Sequence, residues 1–484
     1  MATIAGNGLH TSSLGAGSLH SGSLRGAAAR TLVANLAGLA VTLVAHAWLA
    51  RTLGTDAYGQ FALAIALATV VSAVARFGWD GAAYRFVPGY LTQGDGGRLT
   101  GFLVAARARV RLLATALATC LMLLGTLGLL PGLRVGNYLA VAVLVVAQTG
   151  LLWQAACTRA SGAAAISQLV VEVVRPLLLV VCCVALVNWS GVSLSATRVL
   201  VLYAAATVAS GLALTLVNRQ LFVYVRGPRN SDELALWQRT ARPLAAASIL
   251  ELLYDQADVL LVGGMLGSQA AGSYALAARL AKLPLAATSA VSMSAVPRLS
   301  AAQAQGDWRV FTTVSRKAST GMLAGAVCAS IAVLVGAPVG LRWLGGDYAD
   351  ATWPLLVLLL GRCTAAAYGP AMQTLSVVGQ ARGVPVYLGI GLAIQVSLGA
   401  ISLMSFGTVG GAASRSMATI ACAFLANATL RRAHSGEQAV LPLPPMRRRA
   451  INLLANQIRR QVPGQLVVGR IGDQHRAPLA VEQE

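Results

Sequence analysis

Apolar stretches of about 20 residues follow one another from Thr31 to Leu430, and this succession restricts the fold more than any other feature of the chain. A helix of that length spans the hydrocarbon core of a bilayer. Twelve spans are expected, near residues 31–50, 58–79, 108–130, 137–157, 165–187, 197–217, 243–264, 272–295, 317–339, 353–377, 384–405 and 409–430. Composition agrees: 56% hydrophobic, 11% charged and a mean hydropathy of +0.68 are too apolar for a soluble globular protein. Polar sequence of any length occurs only at the two ends. No soluble catalytic or ligand-binding domain is expected.

The chain also repeats itself. Leu53 to Ala64 reads LGTDAYGQFALA, and Leu266 to Ala277 reads LGSQAAGSYALA. Gly54 precedes Arg85 by 31 steps, and Gly267 precedes Arg298 by the same 31. Both copies then reach a Gly-Asp pair, Gly94-Asp95 and Gly306-Asp307. A repeat of about half the core is the mark of a transporter built from two related lobes, with its substrate site between them. The expected fold class is therefore an all-α integral membrane protein, with about 12 transmembrane helices in two six-helix lobes around a central cavity. The lobes are expected at residues 31–217 and 243–430, joined by a cytoplasmic loop at 218–242. A disordered cytoplasmic tail at 1–30 and a basic cytoplasmic tail at 431–484 complete the chain.

Loop charges orient these spans. With the N-terminus inside, 27 of the 37 Lys and Arg fall in inward-facing segments and four in outward-facing ones. Cytoplasmic loops carry such an excess, so both ends are expected in the cytoplasm. The net charge of +21 then needs no nucleic acid, and no basic stripe with interleaved aromatics suggests one. Residues 1–30 lack the apolar core of a cleavable signal peptide. Met446 to Gln461 reads either as an amphipathic helix on the anionic inner leaflet or as a solvated tail.

An ATP-driven pump needs a Lys followed by Ser or Thr in its phosphate loop. The two lysines, Lys282 and Lys317, precede Leu283 and Ala318. Transport must then draw on an ion gradient, on the substrate's own gradient or on a separate protein. The sequence has no GxSxG and no HExxH, and its seven cysteines form no CxxC pair. Neither an enzymatic activity nor a cofactor nor a metal centre is expected. His46 reads as an interior hydrogen-bonding residue.

Charges inside spanning helices face a bundle interior or a water-filled cavity. Ala245 to Leu285 carries most of them, in two spans joined by a small-residue turn at Gly263 to Gly272. Spacings of four and seven put Glu251, Asp255 and Asp258 within about 60° of one another on one face. They exceed what one ion pair needs, and at least one is expected to be free for a cation, a proton or a substrate group. Arg279 and Lys282, three apart and with no acid on their own span, are expected to line the cavity. Arg362 and Arg415 either face the cavity or pair with carboxylates. Arg76, with Asp80 at the end of its span, either belongs to the site or snorkels to the interface. Glu172 and Arg175 read as a helix-surface ion pair turned inward.

At this point the residues resemble a known family. The pattern LG-x-x-x-x-G-x-[FY]-A-L-A in both halves, the Arg at its far end (Arg85, Arg298) and Tyr254-Asp255-Gln256-Ala257-Asp258 resemble polysaccharide flippases of the Wzx type. Their superfamily also holds the multidrug (MATE) exporters and the lipid II flippases. The resemblance covers about residues 30 to 430. It implies a MATE-like fold of two six-helix lobes in a V, with helices 1, 2, 7 and 8 lining the cavity. It also implies a substrate of oligosaccharide linked to undecaprenyl diphosphate, carried from the inner to the outer leaflet of a bacterial cytoplasmic membrane. Twelve spans rather than fourteen argue against a lipid II flippase, and three carboxylates on one span are more than the family pattern carries. Arg279, Lys282, Arg76, Arg362 and Arg415 are then the candidate substrate residues. Asp258, Asp255 and Glu251 are the candidate sites for a coupling proton or sodium ion. Membrane lipids, and polysaccharide polymerase or export proteins, are the candidate partners. The competing expectation is an ion-coupled exporter of small molecules or drugs.

Overall fold

The computed structural model is described for residues 21–128, 133–222, 227–228, 230–377 and 383–433. The first 20 residues, the C-terminal tail beyond Ala433, and with it Met446 to Gln461, lie outside the described residues.

Regular structure among the described residues is helical. The order is α1 (Ser21–Arg76), α2 (Trp79–Gln93), α3 (Gly96–Thr126), α4 (Val135–Ala160) and α5 (Ala164–Leu169). A π-helical turn at Val170–Val174 joins α5 to α6 (Arg175–Ser190), and α7 (Ala196–Leu221) follows. The second half holds α8 (Leu234–Leu280), α9 (Leu283–Ala304), α10 (Trp308–Leu344), α11 (Thr352–Ala366), α12 (Ala371–Val377) and α13 (Gly383–Ala433). Seven candidate spans among the described residues, within α1, α3, α4, α5–α6, α7, α10 and α13, have the length and hydropathy to cross a bilayer.

Three of these helices are folded at a glycine rather than straight. Gly54 (φ 75, ψ 173) in α1 and Gly267 (φ 85, ψ 178) in α8 occupy a backbone region that is essentially closed to other residues. Tyr58 Oη lies 3.3 Å from Nδ1 of His46, twelve residues earlier. A straight helix would separate those positions by about 18 Å, so α1 doubles back at Gly54. In the same way Tyr274 Oη donates to Asp258 Oδ2 at 3.1 Å, across the fold at Gly267. The turn expected over Gly263 to Gly272 is thus a single residue. Gly407 folds α13 in the same fashion, which puts the last two expected spans in one element.

Other expected spans are interrupted. Positive φ at Phe77 and Gly78 ends α1 and starts α2. The span at 272–295 breaks at Ala281 and Lys282, and Pro284 then sits in the first turn of α9, where its missing N–H costs nothing. Gly369 and Pro370 separate α11 from α12. The Gly-Asp pairs of the repeat have matching roles. Gly94 (φ 68) and Gly306 (φ 69) turn the chain, and the next residue caps the following helix. Asp95 accepts from the Arg98 amide at 2.9 Å and Asp307 from the Val310 amide at 3.0 Å.

The folds of α1 and α8 meet. Gly59 packs against the Ser268 carbonyl and Gly272 against the Thr55 carbonyl, with no space for a β-carbon at either. The Ser268 hydroxyl also donates to the Asp56 carboxylate. The largest buried cluster gathers around this pair and includes Tyr58, Phe61, Leu144, Val262 and Tyr274. These two folded helices form the wall on which the polar groups are carried.

Candidate substrate cavity

Arg279 lies in the last turn of α8 and Lys282 precedes α9, so the break between them splits the helix expected there. Both side chains nevertheless line one cavity with Asp255 and Asp258 of α8, Arg362 of α11 and Arg415 of α13. This compartment has a volume of about 130 Å³. Lys282 Nζ is 3.0 Å from Asp255 Oδ2, and Arg415 Nη2 is 3.2 Å from Asp255 Oδ1. One carboxylate therefore holds two cations. Lys282 has no acid on its own span, and the fold at Gly267 brings Asp255 of the preceding span across from it. Arg279 makes no ion pair among the described residues.

Arg415 is the organiser of this compartment. Only 4% exposed, it donates to the Tyr254 carbonyl and lies 4.3 Å over the Tyr254 ring. A guanidinium in so apolar a setting needs such partners, because an uncompensated charge there is costly. Asp258 is buried as well; besides the Tyr274 hydroxyl it accepts from the Val259 amide at 2.9 Å. Glu251 is exposed and lines neither this compartment nor the next. Of the three carboxylates, Asp255 and Asp258 come together and Glu251 stands one turn away.

A second compartment of about 340 Å³ lies on the α1, α4 and α5–α6 side. His46, Gln148, Glu172 and Arg175 line it, and Arg279 and Lys282 line it too. Glu172 sits within the π-helical turn and Arg175 just beyond it. The expected ion pair between them is absent; instead Arg175 lies 5.3 Å over the Tyr203 ring. The wider π turn changes the stacking of residues three apart that an α-helix would give. His46 is buried and bonded to Tyr58, the interior role expected of it.

Arg76 is elsewhere. It is 4% exposed, with Nε 2.9 Å from Asp80 Oδ2 and Nη1 3.2 Å from Ser72 Oγ, and it lines neither compartment. The ion pair bridges the break at Phe77 and Gly78. Neutral residues were the omission of a search guided by charge. Gln148 of α4 and Thr69 of α1 join across 3.0 Å beside Lys282. The amides inside an expected span, Gln148 among them, were the available signal.

Comparison with solved structures gives likenesses of fold. The chain is similar to the lipid II flippase MurJ in an inward closed conformation, at 12% identity and a TM-score of 0.65, over 83% of this chain and 87% of that one. It is also similar to a D35N mutant of the Vibrio cholerae MATE transporter VcmN, at 14% identity and a TM-score of 0.60, over 85% of this chain and 97% of that one. A eukaryotic MATE transporter, AtDTX14, matches at 15% identity with a TM-score of 0.54, over 85% and 96% of the two chains. Comparison with curated proteins gives no match. A family model described as polysaccharide biosynthesis protein matches residues 24–303, which takes in the folds at Gly54 and Gly267 together with Arg279 and Lys282. With more than half its length so matched, this multi-pass membrane chain belongs to the polysaccharide biosynthesis protein family, on the fold it shares with MurJ and the MATE transporters.

Proposed function

We propose that the protein is a flippase that carries an undecaprenyl-diphosphate-linked oligosaccharide from the inner to the outer leaflet of a bacterial cytoplasmic membrane. The observation that supports this most is the position of Arg279 and Lys282 on the wall of both compartments. A lipid diphosphate cannot take its charge through hydrocarbon, and two cations at the junction of two cavities replace its lost hydration with charge-assisted hydrogen bonds. The lipid tail stays in the bilayer. Arg362, on the wall of the first compartment, is a further anion contact, while Arg415 acts by holding Asp255.

Residues 31–217 and 243–430 act as the two lobes, related by the repeat, with twelve crossings and both ends in the cytoplasm. Rocking of one lobe against the other opens the cavity to each side in turn. In this orientation the contact of Gly59 and Gly272 lies toward the outside. Asp258 and Glu251 are the candidate carriers of a coupling proton or sodium ion, because Asp255 is committed to two cations. Arg279 and Lys282 on this wall count against an exporter of cationic drugs, which needs a cavity dominated by carboxylates. Polysaccharide polymerase and export proteins receive the product.

The test is complementation in cells lacking their own flippase for such a lipid. Restored surface polysaccharide, with loss of the lipid-linked precursor from the inner leaflet, is expected. Resistance to cationic dyes without restored polysaccharide would instead identify an exporter.

A further inference from the structure

Six buried side-chain polar atoms among the described residues have no hydrogen-bond partner, and three of them belong to residues that line the second compartment. They are Asn35 Oδ1 on α1, Gln148 Oε1 on α4 and Arg175 Nε at the start of α6. Buried polar atoms are almost always paired, so three orphans around one cavity mark a place where a polar ligand completes them. The Gln148 amide is not free to turn away, because its Nε2 donates to Thr69 Oγ1 at 3.0 Å, and Gln148 itself is 4% exposed. Nor can the Thr42 hydroxyl satisfy these acceptors, since it donates to the Glu172 carbonyl at 3.2 Å.

The chemistry of the orphans narrows the ligand. Asn35 Oδ1, Gln148 Oε1 and the Glu172 carboxylate accept hydrogen bonds, which a phosphate cannot supply and would oppose. A small cation would suit those oxygens, but Arg175, Arg279 and Lys282 line the same compartment and would repel it. A neutral group that both donates and accepts fits all of them. Sugar hydroxyls do this.

We propose that the second compartment is the sugar-recognition subsite, in which Asn35, Gln148, Glu172 and Arg175 read the hydroxyls of the sugar attached to the diphosphate. This rests on the flippase reading above, and it divides the labour of the cavity. Arg279 and Lys282 at the junction hold the diphosphate, and the compartment beyond them selects the first sugar.

The experiment measures binding to the full-length protein in lipid nanodiscs. The probes are undecaprenyl diphosphate alone and the same lipid bearing one glucose, galactose, mannose or N-acetylglucosamine. Wild type should bind at least one sugar-bearing lipid about tenfold more tightly than the bare lipid. Gln148→Leu and Asn35→Leu should each reduce that preference by about two- to tenfold, the worth of a neutral hydrogen bond, and leave bare-lipid affinity unchanged. Unchanged bare-lipid binding also reports a folded cavity. Should either variant fail to fold, a photoreactive group on the sugar should label wild-type α1 between Val33 and Leu49 or α4 and the π turn. Absence of any sugar preference, equal loss for both lipids in the variants, or labelling of α11 and α13 would overturn the proposal. So would sodium binding by calorimetry that Gln148→Leu abolishes, which would make this a cation site. Failure of wild type to bind even the bare lipid would remove the flippase reading itself, and the subsite with it.

Discussion

Gly59 and Gly272 hold reciprocal places: the first lies against the Ser268 carbonyl, the second against the Thr55 carbonyl, each five residues past the glycine that folds its helix. Thr55 and Ser268 are themselves equivalent positions of the repeat. The contact therefore has two-fold character, each half of the chain offering a glycine to the other's backbone. Such an approach needs the missing β-carbon on both sides.

Adding that carbon should separate the two turns. Gly59→Ala or Gly272→Ala is expected to cost about 1–3 kcal/mol, the usual price of overpacking. Because both carbons push on one interface, the double variant should lose less than the sum of the singles. Thermal unfolding in nanodiscs measures this. Wild-type melting temperatures for both single variants would show that the turns part freely.

The ion triad gives a second expectation, with a strong and a weak member. Arg415 is 5% exposed at its side chain and depends on Asp255, so Asp255→Ala leaves a buried guanidinium without its carboxylate and should cost about 3 kcal/mol. Lys282 is 39% exposed and its Asp255 partner 33%, so Lys282→Met should cost less than about 1 kcal/mol. Chemical unfolding of the two variants checks the order. Equal losses would mean that Arg415 is not held through Asp255.

Much of this was legible in the chain itself. The repeat located Gly54 and Gly267, and their identical strained backbone explains why both copies keep a glycine there. The charges inside spans pointed to the α8 wall, because hydrocarbon leaves few other reasons for an acid and a base in one helix pair. Sequence reasoning left partners unnamed where they come from distant segments; Arg415 was expected at the cavity or on a carboxylate, without saying which. Nothing near Asp255 signals that Arg415, 160 residues on, would bind it. Asn35 and Gln148 were passed over because an uncharged amide leaves little mark on a hydropathy profile.

Orientation yields a third expectation. Reporter fusions after Arg226 and after Arg431 should both register the cytoplasm, as the asymmetry of Lys and Arg requires. A periplasmic signal at either position would change the number of crossings before it.

The decisive measurement is flipping of labelled undecaprenyl diphosphate by purified protein in liposomes, for wild type and for Arg279→Ala, Lys282→Ala and the double variant. If these cations hold the diphosphate, each single change should slow flipping about tenfold to a hundredfold, since a charge-assisted contact is worth about 1.5–3 kcal/mol. Lys282→Arg, which keeps the charge, should be the mildest. Unfolding curves close to wild type would exclude a loss of fold. Wild-type flipping by the double variant would contradict the assignment and take Arg279 and Lys282 out of the substrate site.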